Sequence, residues 1–143
     1  MPVHALPKTA YARTVRGSGP GLVLAHGAGG GVEANFGPIL DGLVARHTVV
    51  GVDYPGAGAT PRSEVPLDVD DLADQLVGAA DAEGLDTFAI AGFSLGGSVA
   101  ICAAARYPDR VSALVLTAAF AHRDAKLGLA ASHGSFRGLP NAR

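Results

Sequence analysis

The chain has 143 residues, 48% of them hydrophobic, with a formal net charge of −2. That length allows one domain with a real core, and the apolar fraction excludes an intrinsically disordered chain. The near-neutral balance gives no ground for a nucleic-acid or anionic-membrane partner.

No apolar run approaches the ~20 residues of a membrane span. The opening M-P-V-H-A-L-P-K lacks the basic flank and long apolar stretch of a secretion signal. One cysteine, Cys102, excludes an internal disulfide and a cysteine-only metal site. The resulting expectations are a cytoplasmic location, no metal and no cofactor.

In chain order, residues 10–16 alternate weakly and predict a strand. Residues 17–21, G-S-G-P-G, are a turn. Residues 22–25 form a short buried-type strand that stops at H-G-A-G-G-G. Phe36, Ile39, Leu40, Leu43 and Val44 then recur at helical spacing. Residues 49–53 are the next strand, ended by Y-P-G-A-G, and a polar loop with Pro55, Pro61 and Pro66 follows.

From Asp68 onward, Val69, Leu72, Ala73, Leu76, Val77 and Ala80 share one helical face. Asp68 suits the N-cap, and Asp70, Asp71 and Asp74 suit the positive end of that helix's dipole. Residues 88–93 predict a strand and 95–106 a helix stopped by Tyr107-Pro108. Residues 113–117 predict a last strand. Strands that are apolar throughout, alternating with helices, define an open, mostly parallel α/β sheet with helices on both faces. Residues 121–143 differ, with Arg123, Lys126, Arg137 and Arg143 against a lone Asp124 and no sustained period. The expected division is an α/β domain over 1–120 and an irregular tail over 121–143.

The chemistry centres on A-G-F-S-L-G-G, where the apolar strand breaks around Ser94. G-F-S-L-G matches G-x-S-x-G in a strand–turn–helix context. A nucleophilic hydroxyl must stand clear of the sheet on a strained turn, so Gly92 and Gly96 supply room on either side. The helix that follows aims its positive end and free N–H groups at the site, and the Leu95 amide becomes an oxyanion donor. A second glycine-rich turn, His26-Gly27-Ala28, follows the strand at 22–25 and offers the Ala28 amide as the other donor. His26 reads as a supporting residue that orients this loop. A base must reach the Ser94 hydroxyl while leaving space for the carbonyl, and a histidine fixed inside the loop is poorly placed for that.

L-V-L-A-H-G-A-G-G, D-Y-P-G-A-G, G-F-S-L-G-G and R-Y-P-D-R-V, in this order over about residues 10–120, resemble a serine α/β-hydrolase. The resemblance implies that the strand ending at Ala25 lies beside the one ending at Phe93, bringing the Ala28 and Leu95 amides together above Ser94. It implies ester-type acyl hydrolysis of a small-molecule substrate with Ser94 as nucleophile. Asp53 reads as a residue that satisfies backbone groups rather than a catalyst.

The triad order of this fold, serine then acid then histidine, further implies that the sequence corresponds to the N-terminal half of such an enzyme, truncated before the acid and histidine. Asp124, His122 and His133 are the residues of suitable type downstream. The stretch Val111 to Thr117 would then be an open edge strand, which invites self-association.

Two other readings compete. An inactive relative serving as a binding or interaction module shares every motif and lacks only base and acid. A dinucleotide-binding domain is mimicked by G-A-G-G-G after a strand, with Asp53 about 20 residues on. That template needs a third glycine at Val32, calls for a shorter loop than the sequence indicates, and leaves the Ser94 turn unexplained.

Overall fold

The computed structural model describes residues 11–119 and the backbone of Phe136–Arg137. A five-stranded sheet runs in the order β1-β3-β2-β5-β6. Its strands are β1 (Arg13–Arg16), β2 (Gly21–Ala25), β3 (Thr48–Val52), β5 (Phe88–Phe93) and β6 (Val111–Thr117). β1 is antiparallel to β3, and the other pairings are parallel. The helices are α1 (Val32–Val44), α2 (Val69–Ala82) and α3 (Leu95–Arg106). A two-residue strand β4 (Leu67–Asp68) pairs with β7 (Phe136–Arg137) in a separate small sheet. The sequence pattern carried no signal for that pair. The other residues of the expected 121–143 tail lie outside the described ones, as do His122, Asp124 and His133.

The open, mostly parallel α/β sheet is observed, and its core divides along the faces of the sheet. Val23, Ala25, Val50, Val52, Phe88 and Ile90 point toward α2 and α3, where they meet Leu72, Leu76 and Val99. Leu22, Leu24 and Val49 point the other way, onto Val32, Phe36 and Leu40 of α1. Strands buried on both faces explain why the sequence reads as continuous apolar runs.

Three helix boundaries have an identifiable local or distant cause. The Asp68 carboxylate accepts the Asp70 amide at 2.8 Å, so α2 begins at the residue its composition indicates. α3 ends at Arg106, where Tyr107-Pro108 stops it. α1 begins at Val32, one turn before its apolar repeat, because Asp53, 21 residues later, accepts the Val32 amide at 2.9 Å. Pro38 therefore falls inside α1, exposed to solvent. The loop between β2 and α1 is accordingly short, contrary to the length inferred from the sequence.

β6 differs from the other strands. All its residues from Ser112 to Thr117 are exposed, and its outer edge pairs with nothing among the described residues. Leu114, Val115 and Leu116 are its large exposed side chains. Beside it, on the α1 face, an open groove of about 370 Å3 runs past Phe36, Ile39, Ala89, Ala91, Phe93 and Val115. Ile39, placed on the buried face of α1 by its spacing, is 55% exposed and lines this groove.

Candidate active site

Ser94 sits between β5 and α3 with φ 53° and ψ −118°. Left-handed backbone at a non-glycine residue costs energy, on the order of 1–3 kcal/mol, and persists only where the surroundings impose it. Here they do. The Ser94 amide donates to the Thr117 carbonyl at 2.9 Å, and the Ser94 carbonyl accepts the Gly97 amide at 2.9 Å. A Cβ at Gly92 would lie 2.6 Å from the Gly96 carbonyl oxygen. One at Gly96 would overlap the Ala25 carbonyl oxygen and lie 2.7 Å from that of His26. The start of α3 thus rests directly on the end of β2, and only glycine permits that approach. Ser94 is partly exposed, and its hydroxyl makes no capping hydrogen bond to the start of α3.

β2 pairs with β5 in parallel, with Ala25 opposite Gly92. The two strands implied to be neighbours are neighbours, and the loops leaving them start side by side. The first of these loops is a turn closed by the Gly30 amide on the Gly27 carbonyl at 3.3 Å. Ala28 and Gly29 are its exposed central residues, with Gly29 at φ 68°. The Gly27 amide donates to Asn35 Oδ1 at 2.7 Å, which ties the turn to the first turn of α1. The sequence reading missed Asn35; a polar residue early in a helix that follows a glycine loop is the signal that could have marked it.

His26 is buried, and both of its ring nitrogens are committed. Nε2 accepts the Tyr54 amide at 2.9 Å. Nδ1 must then carry the proton, and it donates to the Gly27 carbonyl at 2.7 Å. The ring stacks on Tyr54 with centroids 3.8 Å apart. Burial lowers its pKa below the ordinary histidine value, against the opposing effects of the Gly27 hydrogen bond and the Asp53 charge. A neutral imidazole with neither nitrogen available has no means of taking a proton from Ser94. Tyr54, like Asn35, went unremarked in the sequence.

Asp53 is equally occupied. Beyond the Val32 amide, it accepts the Ala59 amide at 3.3 Å, and its carbonyl accepts the Thr60 hydroxyl at 2.8 Å. The carboxylate therefore caps α1 and pins the loop after β3. Among the described residues no group of three or more His, Cys, Asp or Glu could hold a metal ion. No helix among them is long and apolar enough to cross a membrane.

With the elbow at Ser94, the glycine turn beside it and this strand order in place, the fold defines the class. A family model described as the alpha/beta hydrolase fold matches residues 20–141, and the chain belongs to that family. It is 45% identical over 106 residues to pyrrolizixenacetamide deacetylase of Xenorhabdus hominickii, covering 74% of this chain and 40% of that protein. It is 43% identical over 101 residues to a pimeloyl-[acyl-carrier protein] methyl ester esterase of Neisseria meningitidis, covering 70% of this chain and 30% of that one.

Among solved structures, a meta-cleavage product hydrolase from Pseudomonas fluorescens aligns with TM-score 0.73 at 30% identity, over 80% of this chain and 43% of that one. A thermophilic esterase from Thermogutta terrifontis aligns with TM-score 0.75 at 27% identity, over 80% and 42%. The chain thus spans less than half the length of these relatives, which are hydrolases. The family match and the commitment of Asp53 to backbone amides both weigh against the dinucleotide-binding reading.

Proposed function

We propose that this chain carries the nucleophile and oxyanion half of a serine hydrolase that transfers an acyl group to water. Ser94 Oγ attacks the carbonyl carbon of an ester-type or small amide substrate and loses its proton to a base. The carbonyl π electrons move onto oxygen, and the amides of Ala28 and Leu95 hold the resulting oxyanion. Collapse expels the leaving group, and water hydrolyses the acyl-serine. His26, Gly27, Gly92 and Gly96 act through position alone. The observation that carries this reading is the left-handed backbone of Ser94 at the N-terminus of α3. The deacetylase and methyl esterase among the relatives favour acyl derivatives of small molecules as substrates. Base and acid have no assignment among the described residues; His122, His133 and Asp124 lie outside them.

Labelling with a fluorophosphonate and locating the adduct by mass spectrometry tests the proposal. The expected adduct is on Ser94 and disappears in Ser94→Ala. A protein that stays unlabelled overturns the proposal.

A second reading is favoured by one observation, the commitment of both His26 ring nitrogens to main-chain groups. In it the chain is a catalytically silent binding module. Without a base, the oxyanion hole and binding alone leave ~10³–10⁴ over water, and p-nitrophenyl ester hydrolysis would be equal in wild type and Ser94→Ala. The exposed, uncharged β6 edge makes self-association part of either reading. Light scattering is expected to show oligomers that Val115→Lys reduces, and a stable wild-type monomer refutes this part.

A further inference from the structure

The residues that follow β6 contact the elbow from the side opposite β2. Thr117 stands opposite Phe93 in the sheet, and its carbonyl takes the Ser94 amide as the last rung of the β5–β6 ladder. Ala118 then adopts φ 49°, which makes it, with Ser94, one of two non-glycine residues with left-handed backbone among those described. That turn brings Ala119 down onto α3. A Cβ at Gly97 would overlap the Ala119 methyl and lie 3.2 Å from its Cα. The elbow is therefore gripped at two points by one short segment, through a hydrogen bond to Ser94 itself and through a methyl seated on Gly97.

Strained residues on either side of such a contact, Ser94 on one segment and Ala118 on the other, persist because the contact holds them. We infer that Thr117, Ala118 and Ala119 form a latch that sets the backbone of Ser94, with Ala119 and Gly97 as positioning residues for the nucleophile. Gly97 is then glycine for a reason separate from the G-x-S-x-G pattern. Its missing side chain is the seat of the latch. The latch acts on Ser94 whether or not that serine reacts, although its value for catalysis rests on the function proposed above.

The test is Gly97→Ala with the compensating pair Gly97→Ala/Ala119→Gly. Helix propensity alone favours alanine at position 97, so a purely local view expects a more stable protein with an unchanged elbow. The latch predicts the opposite. The new methyl displaces Ala119, the Ser94–Thr117 hydrogen bond opens, and Ser94 amide exchange accelerates by about tenfold or more relative to the Ile90 amide in β5. Removing the Ala119 methyl makes room for it, although the Cα at 3.2 Å must still yield by a few tenths of an ångström. The pair is expected to return Ser94 exchange to within about threefold of wild type.

Fluorophosphonate labelling of Ser94 should fall and recover in parallel. Unchanged Ser94 exchange in Gly97→Ala, or a pair that fails to restore it, overturns the latch, and a pair that does not fold counts as such a failure. A single variant that unfolds while the pair folds supports it. Wild-type protein that does not label defeats the proposed serine chemistry, while the exchange measurement still decides the latch.

Discussion

Replacing Gly96 with alanine puts the seating of α3 on β2 to a quantitative test. The added Cβ meets main-chain oxygens of Ala25 and His26 rather than the far end of a flexible side chain. Neither oxygen can move without shifting β2, whose residues Val23 and Ala25 are fully buried. Overpacking of this kind costs typically ~1–3 kcal/mol, and contact with immobile backbone places it at the upper end. Helix propensity returns at most ~1 kcal/mol, leaving a net loss of about 2 kcal/mol.

Gly78, inside α2, is the matched control, because a Cβ there meets nothing within 4 Å. Only the propensity term acts on it, and Gly78→Ala should gain up to ~1 kcal/mol. At ~3–4 °C per kcal/mol for a domain of this size, thermal unfolding should fall by about 7 °C in the first variant and rise by about 3 °C in the second. Ser94 labelling should drop with Gly96→Ala and stay unchanged with Gly78→Ala. A Gly96→Ala protein at or above wild-type Tm would refute the argument that β2 and α3 meet main chain to main chain.

Asp53→Ala strips the Val32 and Ala59 amides of their acceptors and should cost ~1–2 kcal/mol by urea unfolding, whereas Asp53→Asn keeps one acceptor oxygen, enough for the Val32 amide alone, and should lose about half as much; equal losses in the two variants would contradict this capping role. Because burial depresses the His26 pKa, the unfolded chain takes up a proton that the folded chain refuses as pH falls through ~6.5. Its contribution is complete above that pH and declines below it by up to ~1.4 kcal/mol per unit. Urea midpoints measured from pH 7.5 to 5.5 should show a slope that flattens in His26→Gln, and an identical slope in both proteins argues against it. The Cys102 thiol is pushed up to about 12, chiefly by burial and then by its hydrogen bond to Asp70; its reaction with a disulfide reagent at pH 8 should run ~10²-fold or more below that of glutathione. Ser94→Gly relieves left-handed strain that Ser94→Ala retains, so the glycine variant should be more stable by about 1 kcal/mol although both lack the hydroxyl, and the reverse order would show the elbow to be unstrained.

What could be read in advance was what the chain encodes locally. The Asp68 cap, the stop at Tyr107-Pro108 and the apolar face of α2 all depend on residues within one or two turns, and all were legible. The start of α1 was not, because its cap is Asp53, 21 positions downstream on another strand. The same holds for His26 and Tyr54, which lie 28 positions apart and meet only once β2 and β3 are paired. His26 was assigned an orienting role from its place in the loop; the Tyr54 amide that occupies its second nitrogen became visible only in the folded chain. Ile39 has perfect helical spacing and remains exposed, since periodicity shows which face of a helix is apolar but not how wide the surface beneath it is.

The arrangement also separates two tasks that a hydrolytic site must perform. Holding Ser94 in a strained turn is the work of close packing and of hydrogen bonds to the main chain. Gly96 lies on the end of β2, Thr117 and Ala119 bear on the elbow from the side of β6, and Asn35 and His26 brace the loop before α1. Those contacts involve no titratable group that must change charge during a reaction, so the geometry is preorganised at no electrostatic cost. Proton transfer is a different matter. Both His26 nitrogens are spent on backbone, and the Asp53 carboxylate is spent on two amides. The His26 imidazole and the Asp53 carboxylate are thus both consumed in building the scaffold. Labelling at Ser94 accordingly tests the proposed chemistry, whereas amide exchange and stability at the elbow measure the scaffold, and the two can be varied independently.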